Sequence, residues 1–142
     1  MNSIKQLVVN NPNFSLFIFL HPKEKNNKIY DLTKANYDNI LGSDISYNLV
    51  DNDSSSAEMF DLVDLGIAFN STIIHERIHC GFKTIIFPNN PNFPIKSSSL
   101  SNICIHTKDQ LINKSLESLN ISTKEFFIQN NLIPYTFRNY KI

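Results

Sequence analysis

Two histidines and a glutamate lie close together in the segment His75-Glu76-Arg77-Ile78-His79. On a helix, side chains four positions apart lie on one face, so both imidazoles would be able to bind a single metal ion. Glu76 would then lie beside the metal-bound water and accept its proton as a general base. If the segment is helical, we therefore predict His75 and His79 as metal ligands and Glu76 as the catalytic residue.

The same five residues resemble the zinc-binding signature of the zincin metallopeptidases. In that family the motif lies on a helix, and a third ligand comes from further along the chain. The resemblance implies a zinc cofactor and a hydrolase that uses metal-activated water. Two features depart from the family pattern: Arg77 places a cation inside the motif, and no recognisable second motif supplies the third ligand.

A strand is the other conformation that this segment allows. Alternation along a strand would place three residues on the solvent face and three pointing inward: His75, Arg77 and His79 outward, and Ile74, Ile78 and Cys80 inward. The motif would then carry no chemistry. The sequence leaves helix and strand open for residues 73–80.

A structural metal site is a third possibility. Cys104 and His106 are two positions apart, so on a strand both side chains would point to the same face. Together with His75 and His79 they would supply four ligands of the types that tetrahedral zinc accepts. The spacing matches no standard zinc knuckle.

The composition excludes several other functions. Lys+Arg 13 balances Asp+Glu 13, and no basic stripe stands out, which argues against nucleic-acid binding. With only 3 glycines, a glycine-rich phosphate loop is not available. We therefore favour a non-enzymatic protein-binding module without a cofactor. By analogy at the level of class, it would be an immunity-type or antitoxin-type inhibitor that binds one partner molecule and covers its active site.

The end of the chain has the composition of a protein-contact surface. Aromatic residues and arginine, which dominate binding hot spots, alternate with polar residues here. The candidate partner-binding residues are Tyr135, Phe137, Arg138 and Tyr140. The alternative is a final strand that packs its aromatic residues inward.

The start of the chain does not resemble a secretion signal or a membrane anchor. The apolar run Phe14–Leu20 is far too short to span a bilayer, and the polar segment Asn10–Asn13 precedes it. We expect a cytoplasmic protein without membrane contact, in which Cys80 and Cys104 remain free thiols.

Local patterns predict both helices and strands. Strands are expected at 14–20, 28–32, 84–87 and 103–105, the first two forming a hairpin. Helices are expected from Thr33 to a stop at Gly42 and after three capping boxes, namely Ser55/Glu58, Thr107/Gln110 and Ser122/Glu125. The sum is an α+β fold: one domain over residues 1–142, with a small mixed or antiparallel sheet packed with three to four helices.

Overall fold

The chain forms two compact units, Met1–Ser54 and Ser55–Ile142. The computed structural model describes residues 1–25, 27–50, 56–69, 72–88 and 98–133. Helices and strands occur in both units, which confirms the predicted α+β class. None of the helices in these ranges has the length and apolar character that crossing a bilayer requires.

The first unit is built around two parallel strands. Its elements in order are α1 (Asn2–Val9), β1 (Leu16–Phe19), α2 (Asn27–Leu41) and β2 (Tyr47–Val50). Leu16 pairs with Tyr47 and Phe19 with Val50. Because parallel strands cannot be joined by a tight turn, α2 serves as the crossover between them. The core of this unit includes Ile18, Leu20, Leu41 and Ile45.

Helix α2 confirms one prediction and corrects another. It ends at Leu41, where Gly42 takes a left-handed conformation with φ of 76°, as expected of a helix stop. It begins at Asn27, however, so residues 28–32 are helical and form neither a strand nor a hairpin. The parallel pairing of β1 with β2 explains the difference, since the connection has to run back along the sheet.

The second unit contains a second parallel pair. A 3₁₀-helix (Ser56–Leu62) comes first, followed by β3 (Gly66–Ala68), α3 (Ile73–His79), β4 (Thr84–Ile86), α4 (Ser98–Ser101), α5 (Lys108–Asn120) and α6 (Thr123–Gln129). Gly66 pairs with Thr84, and Ile86 forms a further parallel bridge with Cys104. The buried core includes Ile74, Ile78, Ile86, Ile103, Phe126 and Phe127.

Two capping boxes begin α5 and α6, as predicted. The Thr107 hydroxyl accepts a hydrogen bond from the Gln110 backbone N–H at 3.2 Å, and Gln110 Oε1 accepts one from the Thr107 backbone N–H at 3.2 Å. Ser122 and Glu125 form the same reciprocal pair, at 3.2 and 2.8 Å. Each box satisfies two backbone groups that the helix itself leaves unpaired.

Other expectations for the second unit need correction. The helix expected after the Ser55/Glu58 box is replaced by the 3₁₀-helix and β3; Ser55 itself lies outside the described residues. The strand at 103–105 is reduced to the single bridge at Cys104. Both sheets are parallel and two-stranded, and the described residues form six α-helices instead of three to four. Three-residue strands carry little local pattern, so a distant partner decides where they form.

Candidate functional site

The segment that contains the two histidines is a helix, α3. It ends in a Schellman motif, in which the Phe82 N–H donates to Arg77 O at 2.8 Å and the Gly81 N–H donates to Ile78 O at 2.9 Å. Gly81 takes the left-handed conformation that this motif needs, with φ of 81°. The strand interpretation of residues 73–80 is therefore wrong.

Helix α3 has an inward side and an outward side. Ile74, Arg77 and Ile78 are buried, whereas the outward side presents His75, Glu76, His79 and Cys80. We call these four outward residues the α3 face. They border an open pocket of about 320 Å³, together with Ala57 and Phe60 of the 3₁₀-helix. Both histidines and the glutamate of the motif therefore share one surface, as the helical prediction requires.

Arg77 holds α3 against the rest of the unit. Only 5% of the residue is exposed, and its guanidinium donates three hydrogen bonds: to Thr84 Oγ1 at 3.2 Å, and to the carbonyls of Phe60 and Lys83 at 3.3 Å each. The guanidinium carbon also lies 5.0 Å from the ring centroid of Phe60 and 5.4 Å from that of Phe82. These contacts join the 3₁₀-helix, α3 and β4.

Within the part of the chain that the structure describes, no carboxylate pairs with the buried charge of Arg77. The ion pairs Lys34–Asp38 and Lys114–Glu117 both lie elsewhere. Burial lowers the pKa of Arg77 to about 10, which still leaves the guanidinium charged at neutral pH. Neutral carbonyls, a hydroxyl and two aromatic faces thus solvate this cation.

Gly66 makes room for the guanidinium. A Cβ at this position would lie 2.9 Å from Arg77 Cζ and 3.1 Å from Arg77 Cδ, closer than a side chain can approach without displacing something. Sequence reasoning treated Arg77 as a departure from a motif and missed its structural role. The available signal was Gly66, because a glycine within a strand often marks a close approach by another group.

Lys83, whose backbone carbonyl accepts a hydrogen bond from Arg77, is a second buried cation. Its ammonium donates to the carbonyls of Ser118 at 2.8 Å and Ile121 at 3.0 Å, at the C-terminal end of α5. A cation is favoured there because the last carbonyls of a helix lack partners and carry partial negative charge. Burial lowers the pKa of Lys83, and Asp64 opposes that shift.

The side chains of Cys104 and His106 contact each other. Cys104 is buried, His106 is exposed, and the Sγ–Nε2 distance is 3.8 Å. Burial raises the pKa of the Cys104 thiol, which disfavours the thiolate that a metal needs. The described residues contain no group of three or more His, Cys, Asp or Glu side chains placed to share an ion. The predicted four-ligand site with His75 and His79 is therefore not formed, and a third protein ligand for those histidines is absent from the described ranges.

The remaining predicted site residues lie outside the described part of the chain. Tyr135, Phe137, Arg138 and Tyr140 all follow residue 133, the last described position. Their predicted role in partner binding stays a prediction.

A surface that sequence reasoning missed lies on α2. Ile29, Leu32 and Ile40 are 38%, 64% and 40% exposed, and their spacing places them on one side of the helix. We call these three residues the α2 stripe. A neighbouring side of the helix carries Tyr30, Tyr37 and Leu41, which belong to the core of the first unit.

A polar pocket lies beside the buried side of α2. Asp38 accepts hydrogen bonds from Lys34 Nζ and from the Tyr47 hydroxyl, each at 2.7 Å. Desolvation and the hydrogen bond to Asp38 raise the pKa of Tyr47 to about 12. The hydrogen bonds that Asp38 accepts from Lys34 and Tyr47 lower the pKa of Asp38. These three side chains help to line an open pocket of about 470 Å³.

Comparison with known proteins does not indicate a function for the chain. No family model matches the chain, and neither a curated protein nor a solved structure is significantly similar to it. The function therefore has to be argued from the chemistry of the α3 face and the α2 stripe.

Proposed function

We propose that the chain is a protein-binding module of the inhibitor type, which covers the active site of one partner molecule. The α2 stripe is the observation that carries this proposal. Single exposed apolar residues are ordinary on protein surfaces, but three on one side of a helix, here at positions i, i+3 and i+11, offer an apolar side by which a helix can enter a partner's groove.

The apolar area of the α2 stripe limits the binding free energy that it can contribute. Full burial of a large aliphatic side chain is worth roughly 1.5–3 kcal/mol. Because Ile29, Leu32 and Ile40 are between about a third and two thirds exposed, covering all three contributes about 3 kcal/mol. Polar contacts around the stripe have to supply the rest of a stable complex.

Charge supports a protein partner over a nucleic acid. The formal net charge is zero, so counterion release from phosphates offers no general driving force. We place the complex in the cytoplasm, where Cys80 and Cys104 remain reduced.

The test compares two matched substitutions in the full chain. Leu32 lies on the stripe and is 64% exposed, whereas Ile128 lies on α6 and is 65% exposed. Tagged wild type, Leu32→Asp and Ile128→Asp are expressed in the source cells, and the complexes are weighed by native mass spectrometry. We expect wild type and Ile128→Asp to hold one partner in one-to-one ratio, and Leu32→Asp to lose it.

The inhibitor role needs a functional readout. Added wild-type chain should abolish the activity of the purified partner, and Leu32→Asp should leave that activity in place. Equal capture by both aspartate variants would refute the role of the stripe. The absence of any stoichiometric partner of the wild-type chain would refute the proposal as a whole.

A further inference from the structure

We propose that a second copy of this chain docks on the open edge of β2, so that two copies form a symmetric dimer. The two β2 strands pair antiparallel and join the two-stranded sheets of both first units into one continuous sheet. This inference goes beyond the protein-binding role and does not rest on it, because it concerns a different surface.

The backbone groups of β2 point alternately to its two edges. The Leu20 N–H donates to Val50 O at 3.4 Å, so Val50 faces β1. The direction alternates from residue to residue along a strand, and Asn48 therefore also faces β1. Tyr47 and Leu49 direct their N–H and C=O groups to the outer edge. Within the described ranges, no hydrogen-bond partner is recorded for these outer groups.

The outer edge of β2 is accessible to a further strand. The open pocket of about 470 Å³ is bordered by residues 45–49 and, on α2, by Lys34 and Asp38. An unpaired strand edge is a template for another strand, and a sheet of only two strands is marginally stable by itself. The occupant therefore has to supply an extended backbone with donors and acceptors at the strand spacing.

The pattern of outer groups is self-complementary, which favours a second copy of β2 as that occupant. In an antiparallel pair, two residues opposite each other exchange both of their N–H···O=C bonds. A two-fold axis at Asn48 places Tyr47 of each copy opposite Leu49 of the other, so every outer group is paired. Two-fold homodimers use the same surface patch on both copies in this way.

The charges beside the strand edge are self-complementary as well. The side chains of Lys34 and Asp38 are 51% and 49% exposed. The axis sets the two α2 helices antiparallel on one face of the joined sheet, so Lys34 of each copy approaches Asp38 of the other. Two strand spacings of about 4.8 Å place the helices roughly 10 Å apart, near the usual distance between packed helices. A carboxylate can accept more hydrogen bonds than the two that Asp38 accepts within the chain.

Dimerisation leaves the α2 stripe exposed. Ile29 and Asp38 are nine positions apart, which places them on opposite sides of a helix with 3.6 residues per turn. Each copy in the dimer can therefore still present its stripe to another protein.

The experiment follows the mass of the purified full-length chain by sedimentation velocity from about 1 μM to about 300 μM. We expect the mass to rise from that of one chain, 16.3 kDa, to twice that value. Leu49→Pro removes an outer N–H without removing a bond to β1, and it should stay monomeric. Phe17→Pro is the matched control, because by the same alternation the Phe17 N–H points to the other edge of the sheet. It should dimerise as wild type does.

A pair of charge variants tests the docking without altering the backbone of the strand. Lys34→Asp brings like charges together across the axis and should weaken dimerisation about tenfold. Adding Asp38→Lys to this variant restores opposite charges and should bring the dissociation constant back to within about threefold of wild type. Circular dichroism at about 1 μM, where the chains are monomeric, should show unchanged helix content in both variants.

Three results would each overturn the proposal. The first is a wild-type chain that keeps the mass of one chain throughout the concentration series. The second is a dimer that Phe17→Pro weakens as much as Leu49→Pro does. The third is a dimer that Lys34→Asp leaves unchanged, and this result decides the matter if Leu49→Pro fails to fold.

Discussion

Gly66→Ala should destabilise the second unit by forcing the Arg77 guanidinium out of its site. The added methyl group would lie within 3.1 Å of three atoms of that side chain. The guanidinium is not a flexible end that can step aside, because three hydrogen bonds and two ring faces hold it.

The magnitude follows from what the displacement breaks. Overpacking a filled site costs roughly 1–3 kcal/mol. Each hydrogen bond to a charged group is worth about 1.5–3 kcal/mol, and water does not easily replace these bonds at a residue that is 5% exposed. Because some of these bonds persist, we expect Gly66→Ala to lower the free energy of unfolding by about 3 kcal/mol. Urea denaturation measures this difference directly.

A double-mutant cycle with Arg77→Ala tests the cause. Arg77→Ala alone should cost at least about 3 kcal/mol, because it leaves buried carbonyls without donors and opens a cavity. In that background the methyl group of Gly66→Ala meets neither the stem nor the guanidinium of Arg77, so its further cost should fall below about 1 kcal/mol. If Gly66→Ala costs the same with and without Arg77, the close approach is not the cause and the reasoning fails.

Three further substitutions test other parts of the structure. Lys83→Met should lower stability by about 2–3 kcal/mol in urea denaturation, because two carbonyls at the end of α5 lose their donor. Ser115→Ala should raise stability by about 1 kcal/mol in the same assay, since the buried Ser115 hydroxyl has no hydrogen-bond partner among the described residues. The wild-type chain should lose stability between about pH 10 and about pH 12, and Tyr47→Phe should remove this loss. The urea midpoint of the variant should therefore change less across that range than the wild-type midpoint. The phenol of Tyr47 stays protonated in the folded chain up to a pKa of about 12 but ionises near 10 when unfolded, so stability falls between these values.

Each of these predictions has an internal comparison. Lys108→Met removes an exposed lysine from the start of α5 and should have little effect. Ser118→Ala should not stabilise as Ser115→Ala does, because the Ser118 hydroxyl donates to Lys114 O at 2.6 Å. Stabilisation by both serine substitutions would contradict the hydrogen-bond argument, and a fall in Tyr47→Phe as steep as in wild type would contradict the pH argument.

The features that sequence predicted are those that a few neighbouring residues determine. The boxes at Thr107 and Ser122 need only the hydroxyl and the residue three positions later, and both formed as expected. Gly42 ended its helix for an equally local reason.

The features that sequence missed depend on distant partners. β3 is three residues long and lies in a run whose apolar spacing also suits a helix, so its pairing with β4 decides its conformation. α2 was partly mistaken for a strand because Ile29 and Leu32 lie on its solvent side and blur the helical period. No local pattern indicates that the Arg77 guanidinium is buried.

The parallel pairing of both sheets has a consequence for how the chain folds. Neither pair can form until a long connecting segment has closed, which makes strand association slower than in a hairpin. The segment between Gly66 and its partner Thr84 is a little more than half as long as the segment between Leu16 and its partner Tyr47. Each doubling of a closed segment costs about 0.6 kcal/mol in chain entropy. The pair β3–β4 therefore has a small entropic advantage in nucleation over β1–β2.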